Sequence, residues 1–336
     1  MKRLFSLLLA CALCAVLLSG CGSTPGDTQG SDTTTETSES ASGTDWPTRP
    51  ITIIVPYGAG GDTDFNARAY LEGLGEELGT SLVVSNVTGS GGSIASRQVK
   101  DSDPDGYTAL FFHTAMNVNE AIGTADFGLD DFKLACVVGK GPGEIIVARK
   151  DAGYTNLEEL KAYTQEHPGE VKMGIETGTM VHINGKQMQD AGIDVSFVDA
   201  GGASDRVAAL AGGHIDIIIN AYGTVKDYLE TGEFVALGQV NSERSDGFPD
   251  IPTAVEQGVD VHLEKYYFFA FPKDTPDEIV QKFADACKVV SEDPAYAESI
   301  MESYRQTPFY TDAEEGRALL DSTKEIIDKY AAELLA

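Results

Sequence analysis

The feature that most constrains this chain is a repeated alternation of strand-like and helix-like segments from residue 51 onward. Apolar runs such as ITIIV (51–55) and TALFFH (108–113) are followed by apolar residues at helical spacing. Further strand-like runs cover residues 81–87, 144–149, 171–175, 195–199, 215–220, 235–240 and 266–271. This alternation predicts an α/β fold whose mainly parallel sheets are covered by helices on both faces.

Glycine-rich turns connect strands to helices at four places. They read YGAGGDTD (57–64), TGSGGS (88–93), ETGTMVH (176–182) and DAGGASD (199–205). A helix N-terminus has unpaired N–H groups and a partial positive charge, and glycine lets a ligand approach the backbone. Ligands of parallel sheets bind beyond the carboxyl ends of the strands, where these turns lie. The turns predict a shared site for a carboxylate or phosphate, although each one could also be an ordinary connection.

Sequence fingerprints of nucleotide binding and catalysis are missing. Thr63 and Ile94 occupy the positions where a dinucleotide-binding motif needs its third glycine. The chain contains no GxxxxGK[ST] phosphate loop, no GxSxG elbow and no HExxH, and its five histidines are scattered. We therefore expect no catalytic residues, no metal site and no cofactor.

The N-terminus resembles the export signal of a bacterial lipoprotein. Lys2 and Arg3 precede an apolar stretch that is too short to span a membrane comfortably, and this stretch ends in LSGC at Cys21. We expect residues 1–20 to be a signal peptide and Cys21 to carry lipid, with a plain secretory peptide as the alternative. Residues 21–45 contain almost no apolar side chains and are expected to form a disordered tether. This predicts an extracytoplasmic protein, anchored to the outer face of the cell membrane or periplasmic.

The charge balance restricts the partners. The chain has a net charge of −29, which becomes −31 when Lys2 and Arg3 leave with the signal. Nucleic acid is not an expected partner, because phosphate backbones are bound by clusters of basic side chains. An anionic ligand would have to be held by local dipoles rather than steered by the whole protein. Of the cysteines, Cys136 and Cys287 remain in the body, as buried free thiols or as a disulfide.

Three segments together resemble a known family. They are WPTRPITIIVPYGAGGDTDFNAR, then GSGGSIA followed by PDGYTAL, and finally GGHIDIIINAYGTVKDYLETGEFVALGQVNSERSDGFPDIPTAVEQG. With them the chain resembles the extracytoplasmic solute receptors of tripartite tricarboxylate transporters, also called Bug receptors. The resemblance runs from residue 46 to about residue 309.

The resemblance implies a two-lobed, type II periplasmic-binding-protein fold that closes on its ligand like a hinged clamp. Lobe 1 would comprise residues 46–147 and 239–336, and lobe 2 residues 148–238, with hinges near residues 144–148 and between residues 239 and 271. The ligand would be a small organic anion, such as a di- or tricarboxylate. The receptor would be a monomer that works with integral-membrane transporter subunits.

The resemblance also implies which residues contact the ligand. In lobe 1 they are Tyr57, Gly58, Ala59, Gly60, Gly61, Thr63, Asp64, Ser90, Gly91, Gly92, Thr114 and Asn117. In lobe 2 they are Glu176, Thr177, Gly178, Thr179, His182, Gly201, Gly202 and Ala203, and Asn220 and Tyr222 after the next strand complete the expected pocket. The family often has Pro-Tyr-Lys-Gly where this chain has Asp-Ala-Gly-Gly at residues 199–202, which leaves the specificity open.

Several of these residues also have plain structural interpretations. Asp64 could be a helix cap, His182 a structural hydrogen-bonding group and Tyr222 a core residue. Residues 266–269 are expected to form a buried crossing strand rather than a ligand platform.

The leading functional hypothesis is a membrane-tethered solute receptor without enzymatic activity. The alternative is an extracytoplasmic sensor or enzyme on the same scaffold, because a fold alone does not determine a function. The lack of any nucleophile–base pair or cofactor fingerprint in the sequence favours the receptor.

Overall fold

The computed structural model describes residues 45–334, and these form two five-stranded sheets flanked by helices. The predicted signal peptide, Cys21 and nearly all of the predicted tether lie outside the described residues. The first sheet has the order β2-β1-β3-β10-β4, and the second has the order β7-β6-β8-β5-β9. The strands of the first sheet are β1 (Ile51–Val55), β2 (Leu82–Asn86), β3 (Thr108–His113), β4 (Phe132–Lys140) and β10 (Tyr266–Pro272). Those of the second are β5 (Glu144–Arg149), β6 (Val171–Ile175), β7 (Val195–Asp199), β8 (Ile217–Asn220) and β9 (Phe234–Val240).

Helices cover both faces of each sheet and enclose four apolar clusters. Around the first sheet lie α1 (Asp62–Leu78), α2 (Ser93–Lys100), α3 (Ala115–Ala121), α8 (Asp277–Ser291), α9 (Pro294–Tyr304) and α10 (Ala313–Leu334). Around the second lie α4 (Leu157–Glu166), α5 (Met180–Asp190), α6 (Ala203–Ala211) and α7 (Tyr222–Thr231). Because both faces are buried, strands such as β8, with the sequence IIIN, are apolar along most of their length.

One strand in each sheet runs against the other four. β10 is antiparallel to β3 and β4, and β5 is antiparallel to β8 and β9. All seven residues of β10, YYFFAFP, are buried, as expected for a strand in the interior of a covered sheet. The prediction of an α/β fold with two mainly parallel sheets is confirmed, and residues 266–269 form a buried strand as expected.

The structure corrects two details of the predicted organisation. Strand β4 was not among the predicted strands. The predicted lobe boundaries at residues 147/148 and 238/239 fall inside β5 and β9, and both of these strands belong entirely to the second sheet. The residues near 253–261 also pack into the second lobe, since Val259 and Val261 belong to one of its cores.

The chain crosses between the lobes at two adjacent segments. One segment lies between β4 and β5, and the other lies just before β10. The N–H of Gly141 in the first segment donates to the carbonyl oxygen of Lys265 in the second, at 2.8 Å. The two connections between the lobes are therefore hydrogen-bonded neighbours. Elsewhere in the body, Cys136 and Cys287 are buried free thiols.

The lobes also touch away from these crossing segments. The hydroxyl of Tyr330 on α10 donates to Oδ2 of Asp190 on α5, at 3.0 Å. The guanidinium of Arg305, which follows α9, lies 5.8 Å from the ring centre of Tyr222 on α7. The two C-terminal helices of the first lobe therefore reach across to the second.

Candidate functional site

A cleft of about 380 Å³ lies between the two sheets. Its lining includes residues that follow β1, β2, β3, β6, β7 and β8, which are the carboxyl ends of strands running in the common direction. Glu144 begins the antiparallel strand β5 and Lys265 directly precedes the antiparallel strand β10, so both lie at the same edges. The position agrees with the general rule for ligand sites in α/β sheets.

Three helix N-termini open on this cleft. The first hydrogen bonds at the starts of α1, α5 and α6 are donated by the N–H groups of Phe65, His182 and Arg206. The N–H groups of the residues before them have no acceptor within the helix. Residues at these helix starts line the cleft: Gly61 and Asp62 on α1, Thr179, Met180 and Val181 on α5, and Gly202, Ala203, Ser204 and Asp205 on α6. Helix starts from both lobes therefore present partial positive charge to one space.

Asp64 shapes the first glycine-rich turn instead of facing the cleft. Its buried carboxylate accepts hydrogen bonds from the N–H of Gly60 at 3.0 Å and from Nδ2 of Asn86 at 2.9 Å. It also pairs with Nε of Arg68 at 2.9 Å. Burial alone would raise the pKa of Asp64, but Arg68 and the Gly60 N–H hold it below its ordinary value. Gly61, not Asp64, is the N-cap of α1, and Asp64 instead holds the N–H of Gly60 in the preceding turn.

The second turn is rigid because its glycines pack tightly. Gly92 has φ +98°, and a Cβ built there would lie only 2.5 Å from Cζ of Phe112 and 2.9 Å from Cβ of Pro56. The carbonyl oxygen of Gly91 accepts a hydrogen bond from Nδ2 of Asn119 at 2.9 Å. Any side chain at residue 92 would displace the turn, so the backbone itself lines this part of the cleft.

The third turn contains Glu176, whose side chain lines the cleft. Burial raises the pKa of Glu176 above its ordinary value, an effect that the nearby Arg206 opposes. His182 does not reach the cleft lining; its Nδ1 accepts a hydrogen bond from the N–H of Gly178 at 3.3 Å, and its ring packs edge-on against Phe197. His182 therefore supports the turn from behind.

Arg206 is a buried cation at the cleft that the sequence analysis did not identify. It is only 5% exposed and lines the cleft. Its Nε donates to Oδ1 of Asn220 at 3.0 Å, and Nη1 donates to the carbonyl oxygen of Gly201 at 2.9 Å. Within residues 45–334, no carboxylate forms an ion pair with it. Two contacts thus fix the guanidinium plane, and its positive charge has no ion-pair partner among the described residues and is available to an anion.

A cluster of three charged side chains connects the lobes at the cleft. Nζ of Lys265 contacts Oδ2 of Asp62 from lobe 1 at 3.0 Å and the carboxylate of Glu144 from lobe 2. The hydroxyl of Tyr267 donates to the same Oδ2 of Asp62 at 2.8 Å. Burial would raise the pKa of Asp62, but Lys265, His113 and Tyr267 hold it well below the usual range. Burial would lower the pKa of Lys265, but its two acidic partners raise it.

His113 stands at the end of β3 beside this group. Burial and the nearby Lys265 lower its pKa to about 3, although Asp62 opposes the shift. Its Nδ1 accepts a hydrogen bond from the N–H of Ala115 at 3.1 Å, and its ring stacks on Tyr57 at 5.5 Å. His113 is therefore neutral at neutral pH and supports the cleft wall.

The structure brings part of the predicted site together and leaves part of it elsewhere. The predicted residues that line the cleft are Tyr57, Gly58, Ala59, Gly61, Gly91, Gly92, Glu176, Thr179, Gly202 and Ala203. Those outside the lining are Gly60, Thr63, Asp64, Ser90, Thr114, Asn117, Thr177, Gly178, His182, Gly201, Asn220 and Tyr222.

Several of the second group have clear structural contacts. Oγ1 of Thr114 accepts a hydrogen bond from the N–H of Tyr266 at 3.0 Å. Nδ2 of Asn117 donates to the carbonyl oxygen of Leu320 at 2.7 Å. The ring of Tyr222 packs against that of Phe248 at 5.0 Å. These side chains join elements of the fold. Gly201 and Asn220 both hold Arg206, and Nδ2 of Asn220 also donates to the carbonyl oxygen of Ala203 in the lining.

Apart from Glu176, the sequence analysis missed the charged residues of the lining, which are Asp62, Glu144, Asp205, Arg206 and Lys265. Asp62, Asp205 and Arg206 lie within or beside the quoted glycine-rich turns, so a closer look at charges there could have found them. Glu144 and Lys265 lie at the crossing segments, and no local motif marks them. Over the described range 45–334, no group of three or more His, Cys, Asp or Glu side chains is placed to hold a metal, and no helix is long and apolar enough to cross a membrane.

Comparison with known proteins identifies relatives. A family model described as "Tripartite tricarboxylate transporter family receptor" matches residues 66–330. A UPF0065 protein of Bordetella pertussis is 31% identical over 261 residues, which cover 75% of this chain and 80% of that protein. In BugT of the same organism, 30% of residues are identical over 244 residues, covering 70% of this chain and 74% of that protein.

Solved structures share the fold. MatC from Rhodopseudomonas palustris, described with bound malate, has a TM-score of 0.74 and 21% identity and covers 87% of this chain and 100% of its own. Another R. palustris protein, described with adipate, has a TM-score of 0.79 and 24% identity and covers 87% of this chain and 98% of its own. At these identities the likeness shows a common fold.

Proposed function

Because the chain belongs to the receptor family of tripartite tricarboxylate transporters, we propose that it is a membrane-tethered receptor that binds a small organic carboxylate between its lobes. It delivers this solute to the integral-membrane subunits of a transporter. It works as a monomer, outside the cytoplasm, held to the membrane by lipid on Cys21, and it performs no chemistry on the solute.

The observation that carries the proposal is the convergence of anion-binding groups on one cleft. Free N–H groups at the starts of α5 and α6 and the guanidinium of Arg206 face the same space. A carboxylate there would accept charge-assisted hydrogen bonds from Arg206 and from the backbone. Malate and adipate, bound by two proteins of the same fold, have the size and the carboxylate groups that such a cleft suits.

Calorimetry on the purified protein tests the binding part. We expect at least one small carboxylate among malate, adipate, citrate, lactate and common amino acids to bind with one-to-one stoichiometry. Neutral sugars and amines without a carboxylate should not compete. A neutral sugar as the tightest ligand would overturn the proposal.

Substitution of Arg206 tests the named group. Arg206→Gln should weaken carboxylate binding about 10- to 100-fold, because a charge-assisted bond in a buried setting is lost. Arg206→Lys should recover only part of the affinity, since an ammonium lacks the planar fork. Arg49→Gln is the matched control, because Arg49 is exposed and pairs with Asp105 away from the cleft. Equal losses in Arg206→Gln and the control would contradict the assignment.

Two cell experiments test tethering and delivery. Cys21→Ala should release the protein from the membrane fraction and abolish incorporation of labelled fatty acid. Deleting the receptor should stop uptake of the bound solute, and restoring the chain should recover it. Uptake that is unchanged in the deletion strain would argue for a sensor instead of a transport receptor.

A further inference from the structure

The charged side chains that line the cleft are mostly acidic. Asp62, Glu144, Glu176 and Asp205 face the cleft, against the cations Lys265 and Arg206 alone. With four acids and two bases, and with His113 neutral, the lining has a formal charge of −2. Such a lining disfavours a ligand that carries only negative charge, because like charges repel each other most strongly where water is excluded.

Lys265 does not offset this excess. Its ammonium is already engaged by both Asp62 and Glu144, so the three groups together keep one negative charge. The second oxygen of the Glu144 carboxylate, Oε2, is buried and has no hydrogen-bond partner among residues 45–334. No spare positive charge therefore remains at the hinge side of the cleft.

Glu176 and Asp205 are the two acids of the lining that have neither an ion pair nor a hydrogen-bond donor among residues 45–334, and Glu176 is the one of the two that is half-buried. It directly follows β6, at the beginning of the turn that leads to α5, and it lines the cleft. In the described part of the chain its carboxylate has neither an ion pair nor a hydrogen-bond donor. Asp199, Asp205 and Arg206 are the charged groups close enough to influence it. A half-buried carboxylate without a donor is costly unless something else supplies one.

Arg206, also in the second lobe, is a cation that lines the same cleft. Its guanidinium is held by Asn220 and Gly201 and faces the cleft without a carboxylate partner. Arg206 and Glu176 both line the cleft, yet no ion pair joins them. Two opposite charges that share a cleft but remain separate match a ligand that carries both signs.

We propose that the solute is a small amino acid, whose carboxylate binds Arg206 and the helix starts of α5 and α6 and whose ammonium binds Glu176. This rests on the proposed function, and it narrows the solute class from organic carboxylates to those with a protonated amine. Such a zwitterion brings no net charge to an acidic lining. A di- or tricarboxylate without an amine brings two or three further negative charges.

The sharpest probes are pairs of acids that differ only in the amine. L-aspartate and L-malate differ by an ammonium in place of a hydroxyl, as do L-alanine and L-lactate. The pair 6-aminohexanoate and adipate replaces one carboxylate by an aminomethyl group in a longer chain. In calorimetric titrations of the purified protein, we expect the amino member of the best-binding pair to bind about 10- to 100-fold more tightly.

Substitution of Glu176 tests whether this residue provides the preference for the amino acid over its partner without an amine. In Glu176→Gln the ratio of affinities between the two members of that pair should fall about tenfold or more, chiefly through weaker binding of the amino acid. Glu166→Gln on α4 is the matched control, because Glu166 is exposed and does not line the cleft. Thermal unfolding of both variants verifies that each remains folded.

The possible results distinguish the inference that the solute is an amino acid from the proposed function as a carboxylate receptor. Tighter binding of malate, lactate or adipate than of their amino partners overturns the inference and leaves a carboxylate receptor standing. Binding of no member of any pair, while a neutral sugar binds, overturns the proposed function as well. If amino acids are preferred but Glu176→Gln keeps the full ratio, Glu176 is not the ammonium site.

Discussion

Replacing Lys265 with methionine tests whether one buried ammonium holds two acids together across the cleft. The side chain of Lys265 is 11% exposed, and those of Asp62 and Glu144 are 14% and 15% exposed. Methionine keeps most of the volume and the apolar stem but removes the charge. The two carboxylates, one from each lobe, would then face each other without compensation.

The expected loss follows from this burial. Removing one partner of a buried ion pair costs about 3–5 kcal/mol, because an uncompensated charge is left behind. The small residual exposure places the loss at the lower end, about 3 kcal/mol, which is a large fraction of the roughly 5–15 kcal/mol that stabilises a typical domain. With a urea m-value of about 3 kcal/mol per molar, the unfolding midpoint should fall by about 1 M.

The loss of stability in Lys265→Met should become smaller as pH falls. In the native protein Lys265 holds the pKa of Asp62 below its ordinary value of 3.8, so the stabilisation is complete above that value and is lost only as pH falls through the lower native pKa. Without Lys265, burial dominates and the pKa of Asp62 rises. The Lys265→Met variant should therefore recover part of its stability as pH falls from 7.5 to 4.5. Over the same pH range the native protein keeps the stabilisation that the pairing of Lys265 with Asp62 provides.

Urea unfolding followed by circular dichroism at pH 7.5 and pH 4.5 measures both effects. Lys288→Met is the control, because Lys288 is exposed on α8 and forms no ion pair with residues 45–334. A loss below about 1 kcal/mol, or a loss of equal size at both pH values, would refute the account of Lys265 as the compensating charge.

Three further predictions address the turns, Arg206 and closure. Gly92→Ala should destabilise the protein by about 2–3 kcal/mol in urea unfolding, because its Cβ would meet Phe112 and Pro56 at positive φ. The control Gly232→Ala, also at positive φ but with open space around the Cβ, should cost only about 1 kcal/mol. Equal losses of stability in the two variants would contradict the packing argument. Asn220→Ala should weaken carboxylate binding about tenfold in calorimetry, because Arg206 loses the acceptor that orients it; unchanged affinity would mean that Asn220 is not a positioning residue. Saturation with ligand should reduce the radius of gyration in small-angle scattering, since the lobes are joined by two adjacent crossing segments, and an unchanged radius would exclude a clamp.

The fold was predictable because its signals are local. The apolar runs at ITIIV and TALFFH correspond to β1 and β3 over the residues expected, since each run is long enough to show a covered strand. Strand β4 was missed because FKLACVVGK mixes polar and apolar residues, and its place beside β10 is decided by pairing. The lobe boundary was misplaced for a similar reason, as no local feature shows that β5 pairs with β8 and β9.

By itself the sequence determined the glycine-rich turns, and all four supply residues to one cleft. Glycine and a following helix are properties of a few neighbouring residues, so they can be read from the chain directly.

Only the tertiary structure decided which charges meet at the cleft. Lys265 lies 203 residues from Asp62 and 121 from Glu144 in the chain, and Glu176 and Arg206 follow different strands of the second lobe. Electrostatic interactions depend on distance and burial in space, and neither quantity is present in the order of residues.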